Sequence, residues 1–350
     1  MKKIAIFQSD LNVGGIQKSL INLLNDIDMD CCQVDLYLFD RACFFDMPEH
    51  ENLNVIYLKP YMSMSRIVPF GILRKLFPVV KTDKEYDAAI DFNSYRSDCA
   101  AGAIGVKAEK RLMWIHNDVE IKLQNEPKYR VLWHFFKGKL KYYDEFCAVS
   151  PGIIDSFRHV SGIHDKPVNV IPNHIDTREI FEKAARAAGI SVDPACYNLC
   201  SMGRICHQKG FDLLMDILAQ VRPKRPDMHF YLMGDGPDRS KLEAQIERLS
   251  LGDMVTLLGN QVNPFPILDQ MDGFVLTSRY EGQGMVIREA QALGLELFIS
   301  ENLEKYNPGI SGRSDMVAAL CGAVRHEKHR DDLSGYNLSI TESLCRILEL

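Results

Sequence analysis

The chain has 350 residues, 46% of them apolar and 25% charged, with a formal charge of −6. These are the proportions of a water-soluble globular protein with room for two domains, and the acidic balance argues against a general nucleic-acid binder. No apolar run approaches the roughly 20 residues that cross a bilayer, and Asp10 and Asn12 interrupt the apolar N-terminus, so it reads as a first strand and not as a secretion signal.

Taken in chain order, short apolar strands alternate with helical patterns. The first strand, residues 4–7, leads through Asn12-Val13-Gly14-Gly15 into a helix over 15–24. Gly14 and Gly15 permit a tight turn and a close backbone approach to a ligand. The GxGxxG spacing of a dinucleotide site is absent. Asp28-Met29-Asp30 has a spacing that can hold a divalent ion, but it follows the helix, away from strand ends, and reads as an acidic turn; no other cluster has metal-ligand spacing. Strands are predicted at 34–39, 55–58, 88–92 and 111–115, the last ending at Trp114-Ile115-His116-Asn117. A His at the carboxyl end of a strand can bind a sugar hydroxyl or tune a reacting group.

Residues 60–141 carry 15 Lys/Arg against 9 Asp/Glu. They include the apolar, basic run RIVPFGILRKLFP from Arg66, and Trp133, Phe135 and Phe136 beside Lys137, Lys139 and Lys141. Two readings stay open: a surface for anionic lipid headgroups, or ordinary helices on a sheet with snorkelling lysines. Strands at 145–149 and 168–171 flank a helix at 151–159 and complete the first series.

A charged helix within 172–194 separates that series from a second, with strands at 198–202, 229–233, 254–258, 273–276 and 297–300 and helices at 210–221 and 239–249. Strands that are apolar nearly throughout, alternating with helices, predict parallel sheets covered on both faces. Two such doubly wound domains would leave a cleft, with ligands at the carboxyl ends of the strands. Gly203-Arg204 and Lys209-Gly210 follow the strand 198–202. Arg204 and Lys209 can converge there and stabilise a diphosphate leaving group, or stand as solvated surface charges. Gly234-Asp235-Gly236-Pro237 follows the next strand, as a turn near a nucleotide or as a structural βα turn. The most informative stretch is SRYEGQGMVIREAQALG, from Ser278 to Gly294. It puts Glu281 in a glycine-rich loop and Glu289 inside the helix that the loop opens. A helix mouth suits an anion, and two carboxylates beside it make sense if they grip hydroxyls of a ribose and a sugar. Ten cysteines without CxxC pairing read as mostly buried, reduced thiols of a cytosolic protein. The terminal helix is predicted over 338–350.

In this order the motifs resemble the family 4 retaining glycosyltransferases, also called group 1 transferases, over nearly the whole chain; the Glu-x7-Glu element with its glycines is the specific part. The resemblance implies the GT-B fold: two doubly wound Rossmann-like α/β domains facing across a cleft. An acceptor-binding domain would span 1–176, a nucleotide-sugar domain 177–336, and a helix at 337–350 would cross back. The donor would be a UDP-sugar or GDP-sugar, with no cofactor and no metal. Arg204 and Lys209 would hold the diphosphate, and Glu289 the ribose. Glu281 would face the sugar, and the amides of Gly284, Met285 and Val286 would lie at sugar and phosphate. His116 would approach the sugar, and Gly15 would permit closure over the phosphates. Gly14, Gly203, Gly234 and Gln283 complete the donor-binding set. Gln283 stands where an aromatic is common, His174 where a glycine is common, and Glu296 where a proline is usual; the glycine-rich element after Ser300 is reduced to Asn307-Pro308-Gly309-Ile310-Ser311-Gly312. The implied activity moves a hexose to a lipid-linked or polysaccharide acceptor in cell-envelope or capsule synthesis, in the cytoplasm or at the inner membrane face with peripheral lipid contact. An epimerase of the same fold and a non-catalytic nucleotide-sugar-binding partner of an assembly complex are the alternatives.

Overall fold

The computed structural model describes residues 1–59, 72, 79–93 and 96–350. The run starting at Arg66 lies, but for residue 72, outside the described residues. The chain divides into unit 1, Met1–His174 with Gly335–Leu350, and unit 2, Ile175–Ser334.

Unit 1 holds β1 (Lys2–Gln8), β2 (Cys32–Leu38), β3 (Leu53–Tyr57), β4 (Glu85–Asp91), β5 (Lys107–Ile115), β6 (Glu145–Ala148) and β7 (Val168–Val170). They form one sheet in the order β3-β2-β1-β4-β5-β6-β7, with every pair parallel. Ile4, Ala5, Ile6 and Phe7 of β1 are all fully buried, as a central strand covered on both faces must be. On one face Phe7 stacks on Tyr37 at 4.6 Å, over Ala89, Cys99 and Ala103. Strand order reverses between β1 and β4, the point at which doubly wound sheets open a crevice.

Unit 2 repeats the scheme with β8 (Tyr197–Met202), β9 (Met228–Met233), β10 (Val255–Gly259), β11 (Gly273–Leu276) and β12 (Glu296–Ile299). Their order is β10-β9-β8-β11-β12, again all parallel. The helix Phe211–Val221 buries Phe211, Leu214, Leu218 and Val221 against Leu199, Phe230 and Leu232 of the sheet. Here the order reverses between β8 and β11.

All twelve predicted strands form. β5 starts four residues before its predicted bound, because its first half, Lys107-Ala108-Glu109-Lys110, is polar and half exposed and carries no apolar run. The helix predicted from Pro151 opens as a 3-10 turn, Pro151–Ile153, before Ile154–Ser161. The charged helix is Thr177–Ala184, capped by Asp176 Oδ1 on the Glu179 amide at 3.0 Å. The terminal helix is Ser334–Leu348; it buries Ile340, Leu344, Ile347 and Leu348, and Thr341 Oγ1 donates to Asp26 Oδ2 at 2.6 Å.

The basic, aromatic stretch after Trp133 divides between interior and surface. Trp133 and Phe136 are 8% and 6% exposed, and Lys139 is 1% exposed. Lys139 Nζ lies 3.1 Å from Asp91 Oδ2, which also accepts the Tyr143 hydroxyl at 2.5 Å. Trp133, Phe136 and Lys139 fill the interior, and a buried carboxylate holds the lysine there, whereas Lys137 and Lys141 are exposed. All ten cysteines are unpaired; Cys32, Cys99, Cys147 and Cys200 are buried, and Cys31 and Cys43 are exposed. No described helix is long and apolar enough to cross a membrane.

Candidate active site

The switch point of unit 2 is flanked by two loops, one after β8 (203–210) and one after β11 (277–284). β8 and β11 are neighbours, with Gly273 paired to Leu199 and Phe274 to Cys200, so the loops leave the same end of the sheet side by side. Gly210, at φ +64°, has no room for a side chain: a Cβ there would stand 2.3 Å from the Thr277 carbonyl oxygen. The Thr277 hydroxyl donates to the Gly210 carbonyl at 2.9 Å. This close approach carries Lys209 to Glu281, with Nζ 2.7 Å from Oε1. Their side chains are only 17% and 8% exposed, so the ion pair is largely withdrawn from water and each charge depends on the other. Lys209 also packs its stem on Gly203, where a Cβ would lie 3.1 Å from Cε.

Glu281 precedes the helix Met285–Ala292, and Glu289 lies one turn into that helix. Glu281, Gln283 and Glu289 are all buried, at 6%, 9% and 9% exposure. The three amides expected to face a ligand do not do so together. Gly284 N–H donates to Asn307 Oδ1 at 3.2 Å, and Met285 N–H to the Gln283 carbonyl at 3.1 Å. Asn307 is fully buried and must satisfy its carbonyl oxygen, which is why the Gly284 amide is occupied. No acceptor for the Val286 N–H stands among the described residues, so of the three amides it is the one left open at this helix mouth. Arg204 is exposed and has no side-chain partner among the described residues; the fold brings Lys209, and not Arg204, onto the acidic loop. Gly234 serves packing: a Cβ on it would meet the Gly203 carbonyl oxygen at 2.0 Å. Asp28 accepts the Asp30 amide at 3.0 Å and serves its own turn, and among the described residues no group of His, Cys, Asp and Glu has the form of a metal site.

In unit 1, His116 follows β5 beside the switch point. Its Nε2 lies 2.7 Å from the Phe92 carbonyl oxygen. A carbonyl brings no proton, so Nε2 carries it and Nδ1 is the lone-pair atom, without a partner among the described residues. Burial pushes the imidazole pKa down to about 4, against the opposing pull of the Phe92 carbonyl. Gly14 precedes the helix Gly15–Asp26, and a Cβ on Gly15 would enter open space.

Sequence reasoning missed the residues that tie the loops together. Arg279 grips Asp212 with Nη1–Oδ1 at 2.8 Å and Nη2–Oδ2 at 2.6 Å, and Gln208 Nε2 donates to the Tyr280 carbonyl at 3.1 Å. Asn302 Nδ2 donates to the carbonyls of Ser278 and Arg279, both at 3.1 Å. A signal existed for one pair only: Asp212 and Arg279 are opposite charges a few residues from the two motifs.

Two parallel sheets, each with its strand order reversing at a switch point, define a doubly wound α/β protein with two domains of this kind. Residues 197–312 match the family described as Glycosyl transferases group 1, and residues 13–179 the family described as Glycosyltransferase Family 4. The chain is 29% identical over 167 residues to the lipopolysaccharide core biosynthesis mannosyltransferase LpsB of Rhizobium meliloti, covering 45% of this chain and 47% of LpsB, so less than half of that relative is spanned. It is 25% identical over 323 residues to EpsF of Bacillus subtilis, covering 88% of this chain and 82% of EpsF. The crystal structure of Anabaena HepE in complex with UDP and glucose superposes with a TM-score of 0.66 at 19% identity, over 98% of this chain and 99% of HepE. The chain belongs to the group 1, family 4 glycosyltransferases, and its fold is GT-B.

Proposed function

We propose that the protein is a retaining, metal-independent glycosyltransferase. It moves a hexose from a UDP-sugar or GDP-sugar to a lipid-linked or polysaccharide acceptor in cell-envelope or capsule synthesis, on the cytoplasmic side. The observation that carries this reading is the Lys209–Glu281 pair at the unit 2 switch point. A lone cationic pocket would hold any phosphate. A cation locked to a carboxylate suits a ligand that brings a diphosphate and hydroxyls together. Lys209, with Arg204, takes the diphosphate; Glu281 takes hydroxyls of the sugar, Glu289 those of the ribose, and Val286 N–H a phosphate oxygen. Gln283 borders the sugar; His116, at the switch point of unit 1, offers Nδ1 as acceptor to a hydroxyl. The acceptor hydroxyl attacks the anomeric carbon on the face that the nucleotide leaves. The carbon–phosphate-oxygen bond breaks as the new glycosidic bond forms, and the departing diphosphate takes the proton. Membership among relatives such as LpsB supports the envelope setting.

The test is transfer from a panel of UDP- and GDP-hexoses to lipid-linked and glycan acceptors. Lys209→Ala and Glu281→Gln are expected to lower transfer at least about 100-fold. Glu281→Gln should nonetheless bind UDP or GDP at least as tightly as the wild type, because Lys209 loses its internal counter-ion. Wild-type transfer in either variant would remove the site assignment, and turnover of donor without acceptor would reveal an epimerase instead.

A further inference from the structure

The geometry points to Arg279, acting with Asp212, as the positioning pair that holds Lys209 against Glu281 and so sets the spacing of the donor site. The inference rests on the functional reading above but concerns residues that make no contact of their own in it. Lys209 sits in the loop after β8 and Glu281 in the loop after β11, and the 2.7 Å between them is fixed by neither strand. Strand pairing ends at Phe274 and Cys200, several residues short of both. The Thr277 bond to Gly210 and the Gln208 bond to Tyr280 cross the gap at single points, and the rest of what spans it is a set of bonds centred on Arg279. Its amide donates to the Gln208 carbonyl at 2.8 Å, one residue before Lys209. Its guanidinium Nη1 donates to the His207 carbonyl at 2.8 Å, and the fork closes on both oxygens of Asp212, at 2.8 Å and 2.6 Å. Asp212 stands in the first turn of Phe211–Val221. The guanidinium therefore holds both flanks of Lys209, the turn before it and the helix after it, from a position two residues before Glu281. A planar fork with several fixed donors can do this; an ammonium cannot.

Burial separates this role from fold stability. Asp212 and Arg279 side chains are 49% and 23% exposed, whereas Lys209 and Glu281 are nearly closed off. Breaking the outer pair leaves no buried charge stranded, yet it frees the inner pair to drift, and a drift of about 1 Å lowers a transfer rate on the order of 100-fold.

The experiment uses the full chain with Arg279→Met, Arg279→Lys, Asp212→Asn and the exchanged double variant R279D/D212R. Hydrogen exchange of the unliganded protein is read over 203–210 and 277–284. Faster exchange in both segments together in Arg279→Met, with the rest of unit 2 unchanged, is expected. Unchanged exchange at 203–210 overturns the proposal, whatever the protein's activity. In transfer assays each single variant is expected to lower kcat and raise the donor KM together, by roughly 10- to 100-fold in kcat/KM, with a melting temperature within a few degrees of wild type. Arg279→Lys should not rescue, and the exchanged variant should recover part of the loss. Wild-type kinetic constants in Arg279→Met, or additive losses in Arg279→Met and Asp212→Asn combined, overturn it. A wild-type protein that transfers no hexose and binds neither UDP nor GDP refutes the functional reading, and the exchange measurement then decides the positioning claim alone.

Discussion

His116 shows how one side chain's surroundings limit its chemistry. It is 7% exposed, and its Nε2–H donates to the Phe92 carbonyl. Its pKa of about 4 keeps it neutral near pH 7, so it can accept a hydroxyl proton at Nδ1 but cannot serve as a cation for phosphate. The same shift has a stability consequence. Below the ordinary value of 6.5 the unfolded chain binds a proton that the folded chain refuses until about pH 4. Stability is therefore full above pH 6.5 and is lost as pH falls through this window. The loss between pH 7 and pH 5 is about 2 kcal/mol. Urea melts of wild type and His116→Asn at pH 7, 6 and 5 should show the wild type weakening more steeply. Parallel pH dependence would mean that the imidazole is not kept neutral by burial. The residues that no sequence pattern announces follow the opposite logic. Arg279, Gln208 and Asn307 act by reaching backbone carbonyls and amides of other loops, and such partners have neither a period nor a fixed spacing along the chain.

At the scale of elements, the strands were legible because a sheet covered on both faces requires unbroken apolar runs, as in β1 and β11. Where a strand lies half outside that cover, as in the first half of β5, the run disappears and the bound was missed. The loops that follow the strands gave up Lys209 and Glu281 because glycines bracket them. The glycines themselves divide by physical cause. Gly234 sits at φ +138° with the Gly203 carbonyl oxygen 2.0 Å from where a Cβ would be, so β8 and β9 leave the sheet with their backbones in contact. Gly234→Ala must push these two loops apart or leave its backbone well, and about 2–3 kcal/mol of destabilisation is expected. In thermal melts that is a fall of about 5–10 °C in the transition of unit 2. Gly252→Ala is the control, since a Cβ there meets nothing within 4 Å. Equal melting temperatures for the two variants would show that the β8 and β9 loops are not so tightly apposed.

At the scale of the whole molecule, the chain leaves unit 1 after His174 and returns to it at Gly335. On the unit 1 side both passages are tied down: the Tyr336 hydroxyl donates to the Asn173 carbonyl at 3.0 Å, and Asn22 Nδ2 to the His174 carbonyl at 2.7 Å. His174, which replaces the glycine common at this place, pairs with Asp26 at 3.1 Å, and the other oxygen of Asp26 accepts Thr341 from the terminal helix. The last helix is thus a structural part of unit 1, joined to it by four buried apolar side chains. Burying these contributes about 1.5–3 kcal/mol each, opposed by the entropy of ordering the helix. Unit 2 draws on none of it, because its core closes among β8 to β12 and their helices. Truncation after Ser334 should therefore lower the melting temperature of unit 1 by about 10 °C or more and leave unit 2 where it was. The chain supplies its own reporter, since both of its tryptophans, Trp114 and Trp133, are buried in unit 1. Tryptophan fluorescence should follow the early transition, while far-ultraviolet circular dichroism should show a second one at the original temperature. A truncated chain that melts in a single step with unshifted fluorescence would show that the terminal helix is only a passenger on unit 1.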